Sequence, residues 1–237
     1  YSVQAALRTA KALAPLRDAS GSGEGEELPA RLDLVSLYPT APDRASALVE
    51  RWSQASALDL SAPVGVTADG PLRIDLRADG PHSLVAGTTG SGKSEFLQTL
   101  VAALAVEHPP THLNFVLVDY KGGAAFKEAK DLPHTVGFVT DLDAHLTRRA
   151  LISLNAELKR RERLLAEHGA KDLIDLIERR PDAAPPSLAI VIDEFAALKA
   201  EVPEFVDGVV DIGQRGRSLG VHLLLATQKP GGVVTAA

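Results

Sequence analysis

Gly87-Thr88-Thr89-Gly90-Ser91-Gly92-Lys93-Ser94 fits the pattern G-x-x-x-x-G-K-[ST]. An apolar run, Ser83-Leu84-Val85-Ala86, leads into it and reads as a buried strand. A helical pattern leaves it: Phe96, Leu97, Leu100, Val101 and Leu104 recur on one face. Strand, glycine loop and helix, in that order, are the context the motif requires. The glycines let the backbone close around a phosphate with no Cβ in the way. The loop N–H groups and the positive end of the helix attract the anion. In that arrangement the loop from Gly87 to Ser94 cradles the phosphates. Lys93 reaches the β- and γ-phosphates, and the Ser94 hydroxyl holds Mg²⁺. A glycine-rich turn could match the pattern by accident, but the flanking strand and helix make that the weaker reading.

The length of 237 residues bounds the chain to one large domain, or one domain with an appendage. Aromatic residues make up 4% while Ala, Leu and Val are plentiful, so the core is expected to be aliphatic. The absence of Cys excludes disulfides and thiolate metal sites and is compatible with a reducing, cytosolic setting. The absence of Met marks the sequence as a fragment, a processed product or a trimmed chain. No stretch approaches about 18 consecutive apolar residues, so no membrane contact by the fragment is expected, and the first residues lack the pattern of a signal peptide. The net charge of −6 argues mildly against a surface built mainly to grip nucleic acid.

Along the chain, residues 1–17 read as a helix, with Val3, Leu7, Ala10 and Leu13 on one face, and 18–29 as an acidic, flexible linker. Residues 43–55 form another expected helix, in which Trp52, the single Trp, anchors the segment on the core. Val64, Val66, Leu72, Ile74 and Leu76 alternate about a turn at Asp69-Gly70-Pro71, a β-hairpin. His82 has no partner pattern and is expected to be structural. Leu113–Asp119 is a second strand with a carboxylate at its C-terminal end, where open α/β sheets bind ligands, and Thr135–Thr140 is a third. Residues 143–168 form a long helix whose buried stripe is Leu146, Leu151, Leu154, Leu158 and Leu165. Its basic residues, Arg148 and Arg149 among them, read mainly as a solvated face, and Glu157 can pair with Arg161.

Leu188-Ala189-Ile190-Val191-Ile192-Asp193-Glu194 is the second decisive stretch. An apolar strand ending in two carboxylates is the Walker B pattern. Asp193 would complete the Mg²⁺ shell, and Glu194 would orient and polarise an attacking water. Val221–Ala226 is a further buried strand. It ends in Thr227-Gln228, where Gln228 can read a γ-phosphate. Just before it, Arg215 and Arg217 suit a trans-acting finger or a subunit contact.

These residues together resemble the FtsK/SpoIIIE-type P-loop ATPases. Asp119-Tyr120-Lys121-Gly122-Gly123 and Asp193-Glu194-Phe195-Ala196 are more similar to the type VII secretion ATPases of the EccC/EssC kind than to DNA translocases, which usually carry Asp-Pro-Lys after the second strand. The resemblance also takes in Glu50-Arg51-Trp52, Gly80-Pro81-His82, Asp131-Leu132-Pro133-His134 and Ala226-Thr227-Gln228-Lys229-Pro230. It implies an α/β, RecA-like P-loop NTPase fold, mostly a parallel sheet flanked by helices, with a small N-terminal helical and hairpin appendage. Residues 1–61 are then the appendage and acidic linker packed on the core, and 62–237 the ATPase domain. The resemblance further implies ATP with Mg²⁺ as cofactors. It implies a homo-oligomeric ring, with ATP sites at subunit interfaces and an arginine supplied in trans, or tandem ATPase domains. Arg149, Arg215 and Arg217 are the candidates for that arginine. The parent protein is expected on the cytoplasmic face of a bacterial membrane. Members of the family continue past the Gln228 strand, so the C-terminal end of the fold is expected to be missing, and the isolated fragment to be a weak ATPase or an inactive one.

Four functions compete: a motor driving protein export, a DNA translocase module, a small-molecule P-loop kinase or GTPase, and a nucleotide-binding regulator with little turnover. A GTPase needs an Asn-Lys-x-Asp guanine reader, and Asn114 and Asn155, the only asparagines, stand in none. Intact Lys93, Ser94, Asp193 and Glu194 argue against the silent regulator. A motor ATPase that exports a protein substrate is the leading reading, with DNA as the alternative cargo. In it, Lys93, Glu194 and Gln228 are catalytic, and Ser94 and Asp193 hold the metal.

Overall fold

Apolar stretches rich in Val, Leu and Ile supply the strands, as β-branched and aliphatic side chains favour. The hairpin pairs β1 (Ser61–Thr67) with β2 (Gly70–Asp75), antiparallel, around a two-residue loop at Ala68-Asp69 and with a bulge between Pro63 and Gly65. The main sheet holds β3 (His82–Ala86), β4 (Leu113–Asp119), β5 (Thr135–Thr140), β6 (Ser187–Asp193) and β7 (Val221–Thr227). All pairings are parallel, in the order β3-β7-β6-β4-β5. The computed structural model describes residues 28–29, 31–42, 44–119, 125–140, 144–201 and 203–228. The expected helix over 1–17, most of the acidic linker, the Tyr120–Gly123 turn and Lys229-Pro230 lie outside the described residues.

Helices cover both faces, as parallel sheets require. Alternate residues of β6 divide between the two layers. Ala189 and Val191 join a core with helix α2 (Lys93–Glu107) and the hairpin, whereas Leu188, Ile190 and Ile192 face the opposite core. That second core is closed by α3 (Ala144–Glu167), α4 (Leu173–Arg179), α5 (Phe195–Glu201) and α6 (Pro203–Leu219). β6 is buried at every position because it lies inside the sheet and is covered on both faces. The preceding α1 (Ala45–Gln54) packs on α2. There the Trp52 indole donates to the Ala105 carbonyl at 3.0 Å and meets the His134 ring edge-on at 5.4 Å, so Trp52 is the anchor its singular presence predicts.

Three expectations are corrected. Ser83–Ala86 is not a buried strand: β3 is an edge of the sheet among the described residues, and Leu84 is 43% exposed. Leu146 is not in the buried stripe of α3 but 39% exposed, because the first turn of the helix projects past the core, which begins at Leu151 and Leu154. Arg161 is not on a solvated face. Besides its bond from Nε to Glu157 at 2.8 Å, it is 4% exposed and donates to the carbonyls of Leu219 and Pro186. A guanidinium has five donors in a fixed fork, which suits it to tie three elements at once.

Candidate nucleotide site

The C-terminal ends of β3, β7, β6 and β4 form one row. The Gly87 N–H donates to the Thr227 carbonyl at 3.2 Å, which ties the start of the glycine loop to β7. Asp119 of β4 is in register with Asp193 of β6. The loop then turns on Thr88 and Ser91, whose N–H donates to the Thr88 carbonyl at 3.1 Å, and enters α2. Gly92 caps the helix at φ 86°, a left-handed conformation that a side chain disfavours. A Cβ on Gly87 would overlap the Ser91 hydroxyl and stand 3.3 Å from its Cβ. Glycine at 87 therefore lets the loop fold back on Ser91, and the loop leads into the N-terminus of α2, where free N–H groups attract an anion.

The charged residues meet at the base of the cradle. Lys93 Nζ is ion-paired with Asp193 Oδ1 and lies 4.0 Å from Glu194 Oε2. Ser94 Oγ donates to Asp193 Oδ2 at 3.3 Å, and the Glu194 N–H donates to Asp193 Oδ1 at 2.9 Å. Lys93, Asp193 and Glu194 are all buried. A lone buried charge is costly, and the ammonium between two carboxylates offsets that cost. Glu194 has φ 58°, and among the described residues it is the non-glycine with positive φ. That backbone costs about 1–3 kcal/mol and is found where a function fixes it. Both carboxylates reach Lys93, Asp193 in a direct ion pair that also takes the Ser94 hydroxyl, and Glu194 at 4.0 Å.

The predicted site residues thus come together from two stretches of sequence. Lys93, Ser94, Asp193 and Glu194 form one hydrogen-bonded and ion-paired cluster. Gln228, one residue past β7, accepts a bond from Thr89 Oγ1 at 2.9 Å. Of the three arginines, Arg215 is committed to its own fold: it bonds Asp211, and Glu162 at 2.8 Å. Arg149 and Arg217 are exposed. Asp119, expected at the ligand-binding edge of the sheet but given no specific role there, joins the row of strand ends. It is 2% exposed beside Asp193 and accepts the Ala125 N–H at 2.8 Å, and its position at a strand end was the signal. A polar cleft of about 430 Å³ at the other end of α2, lined by Glu50, Arg51, Asp59 and Glu107 among others, contains none of these residues.

The donor set fits a magnesium nucleotide. Among the described residues, no group of three or more His, Asp or Glu could hold a metal by itself. Ser94 and Asp193 present one hydroxyl and one carboxylate, which suits Mg²⁺, an ion that takes its remaining ligands from water and substrate phosphates.

A family model described as FtsK/SpoIIIE family matches residues 45–232. The type VII secretion system protein EssC of Staphylococcus aureus is 42% identical over 215 residues, covering 87% of this chain and 14% of that protein. The solved cytoplasmic domain of the type VII secretion ATPase EccC of Thermomonospora curvata superposes with a TM-score of 0.76 at 42% identity. It covers 85% of this chain and 25% of the other. A second structure, of ATPases 2 and 3 of the same EccC in complex with a signal sequence peptide, gives a TM-score of 0.65 at 29% identity, over 72% of this chain and 32% of that one. The chain therefore spans about a seventh of the length of EssC.

Proposed function

Because the chain belongs to the FtsK/SpoIIIE family, we propose that it is a Mg²⁺-dependent ATPase domain that energises protein export by a type VII secretion system. The observation that carries this reading is the cluster of Lys93, Ser94, Asp193 and Glu194 at the base of a glycine cradle, on the row of strand ends. When bound, Mg·ATP would supply the cleavable phosphoanhydride, and Ser94 and Asp193 would hold its Mg²⁺. The residues of the chain do the rest. The Gly87–Ser94 amides and the α2 N-terminus hold the phosphates. Lys93 can exchange its ion pair with Asp193 for phosphate oxygens, since both partners are anionic. Glu194, next to the metal-holding Asp193, is the acceptor for a proton from the attacking water. Gln228 contacts the γ-phosphate from the β7 side.

EssC and EccC carry secretion in their names, and a relative holds a signal sequence peptide. This supports a secreted protein as the cargo, with DNA as the alternative. Tandem ATPase domains in EccC support a site completed by a neighbouring domain or copy. With Arg215 engaged in its own fold, Arg149 and Arg217 remain as the arginines to reach across. We place the chain on the cytoplasmic side of a membrane-borne parent; no described helix is long and apolar enough to cross a bilayer itself. Residues 1–61 are read as an appendage and 62–237 as the ATPase domain. ATP turnover across a protein concentration series, with and without short duplex DNA, tests the proposal. Turnover that rises with concentration and ignores DNA supports a self-assembling secretion motor. Turnover that appears only with DNA refutes the protein-cargo reading.

A further inference from the structure

Gln228 stands between the two halves of the site. β7 lies between β3, which delivers the glycine loop, and β6, which delivers Asp193 and Glu194. Gln228 follows the end of β7, and Thr89 Oγ1, from the loop, meets its side chain at 2.9 Å.

The two ends of an amide are not equivalent. Oε1 only accepts and Nε2 only donates, whereas a threonine hydroxyl does either. Phosphate oxygens at neutral pH accept. An amide that serves a phosphate must therefore turn Nε2 toward it, which leaves Oε1 facing away and needing a donor. Thr89 supplies that donor: its hydroxyl bonds Oε1, not Nε2. We propose that Thr89 is a positioning residue, whose hydroxyl holds the Gln228 amide with its NH₂ end toward the γ-phosphate. This rests on the nucleotide-site reading above and assigns the Thr89 side chain a task distinct from that of the loop amides. With no hydroxyl at position 89, Oε1 loses its donor and the amide is no longer held where Nε2 meets the γ-phosphate.

The consequence is selective. The β-phosphate is held by the loop amides and Lys93, which a change in the Thr89 side chain leaves in place. Only the γ-phosphate should feel it. Thr89 is exposed and sits outside both hydrophobic cores, so its substitution does not threaten the fold.

The test is calorimetric binding of ADP and of the non-hydrolysable ATP analogue AMP-PNP, both with Mg²⁺, to the wild-type chain and to Thr89→Val, Thr89→Ser and Gln228→Leu. Thr89→Val should lose about tenfold in AMP-PNP affinity while ADP affinity holds, the size expected for one hydrogen bond to a charged group. Gln228→Leu should match it, and the double variant should lose no more than either alone. Thr89→Ser should restore the preference. The proposal is overturned if Thr89→Val keeps the wild-type preference, if it weakens ADP and AMP-PNP alike, if Thr89→Ser behaves as Thr89→Val does, or if the wild type shows no preference. Wild-type protein that binds neither nucleotide would overturn the underlying site reading and this inference with it.

Discussion

Acidification should destabilise this domain through a histidine at the end of the sheet opposite the nucleotide site. His222, the second residue of β7, is 3% exposed, and neither of its ring nitrogens makes a hydrogen bond of normal geometry. Burial is the main reason its pKa falls from 6.5 to about 4, with the Arg77 and His82 charges adding to it and the Pro81 and Leu76 carbonyls pulling weakly the other way. The folded value is depressed, so between about 4 and 6.5 the unfolded chain holds a proton that the folded chain refuses. The stability is thus complete above the unfolded value and is lost as pH falls through it. From about pH 7 to about pH 5.5 this one ring costs the fold about 1.2 kcal/mol. With an m-value of about 3 kcal/mol/M, that is a drop of about 0.4 M in the urea midpoint. His82, His108, His112 and His134 are shifted down by burial too, and each adds a loss of the same sign. Urea titrations of the wild type and His222→Leu at the two pH values isolate the His222 share, because leucine fills a similar space and does not titrate. The wild type should lose about 0.4 M more than the variant. Equal losses in the two proteins would refute the reasoning.

Other consequences follow from packing and charge. Lys93→Ala should lower stability by about 3 kcal/mol as well as abolish nucleotide binding, because it leaves Asp193 and Glu194 buried without their ammonium; a denaturation midpoint equal to wild type would contradict this. Gly216→Ala should destabilise by about 2 kcal/mol despite the better helix propensity of alanine, since the new Cβ would stand 2.8 Å from the Val221 carbonyl oxygen of β7; a thermal midpoint that rises would show that β7 yields. Trp52→Ala should cost about 3 kcal/mol through lost packing and the indole bond to Ala105, read as a shift in thermal midpoint. Glu194→Gln should bind Mg·ATP as the wild type does and lose turnover by about a hundredfold or more, and retained turnover would remove Glu194 from its role.

Much of the fold was written locally. β4, β6 and β7 are mainly apolar runs, interrupted by Asn114 in β4 and His222 in β7, and the structure finds them where the runs lie. The decisive cluster was legible because each half carries its own motif: Lys93 and Ser94 on a helix start, Asp193 and Glu194 on a strand end. The misses concern neighbours that no local pattern names. Ser83–Ala86 is as apolar as a buried strand, yet which strand stands at an edge is set by sheet order, a long-range fact. Arg161 looks like its exposed neighbours Arg160 and Arg163 at helical spacing, but the carbonyls that capture it come from Pro186 and Leu219, 25 and 58 residues away. The helices α4 and α5 are only 7 residues each, too short for periodicity to separate from loop. The Thr89 bond to Gln228 spans 139 residues and could not be read from either end.

The central claim is that Lys93, Ser94 and Asp193 make a magnesium-nucleotide site. Equilibrium binding of ATP to the chain, with Mg²⁺ or with a chelator and for wild type and Lys93→Ala side by side, tests it most directly. The account predicts saturable 1:1 binding to the wild type, weakened about tenfold or more by the chelator and lost in Lys93→Ala. Binding that is equally tight without the metal and survives Lys93→Ala would place the nucleotide elsewhere and contradict the account.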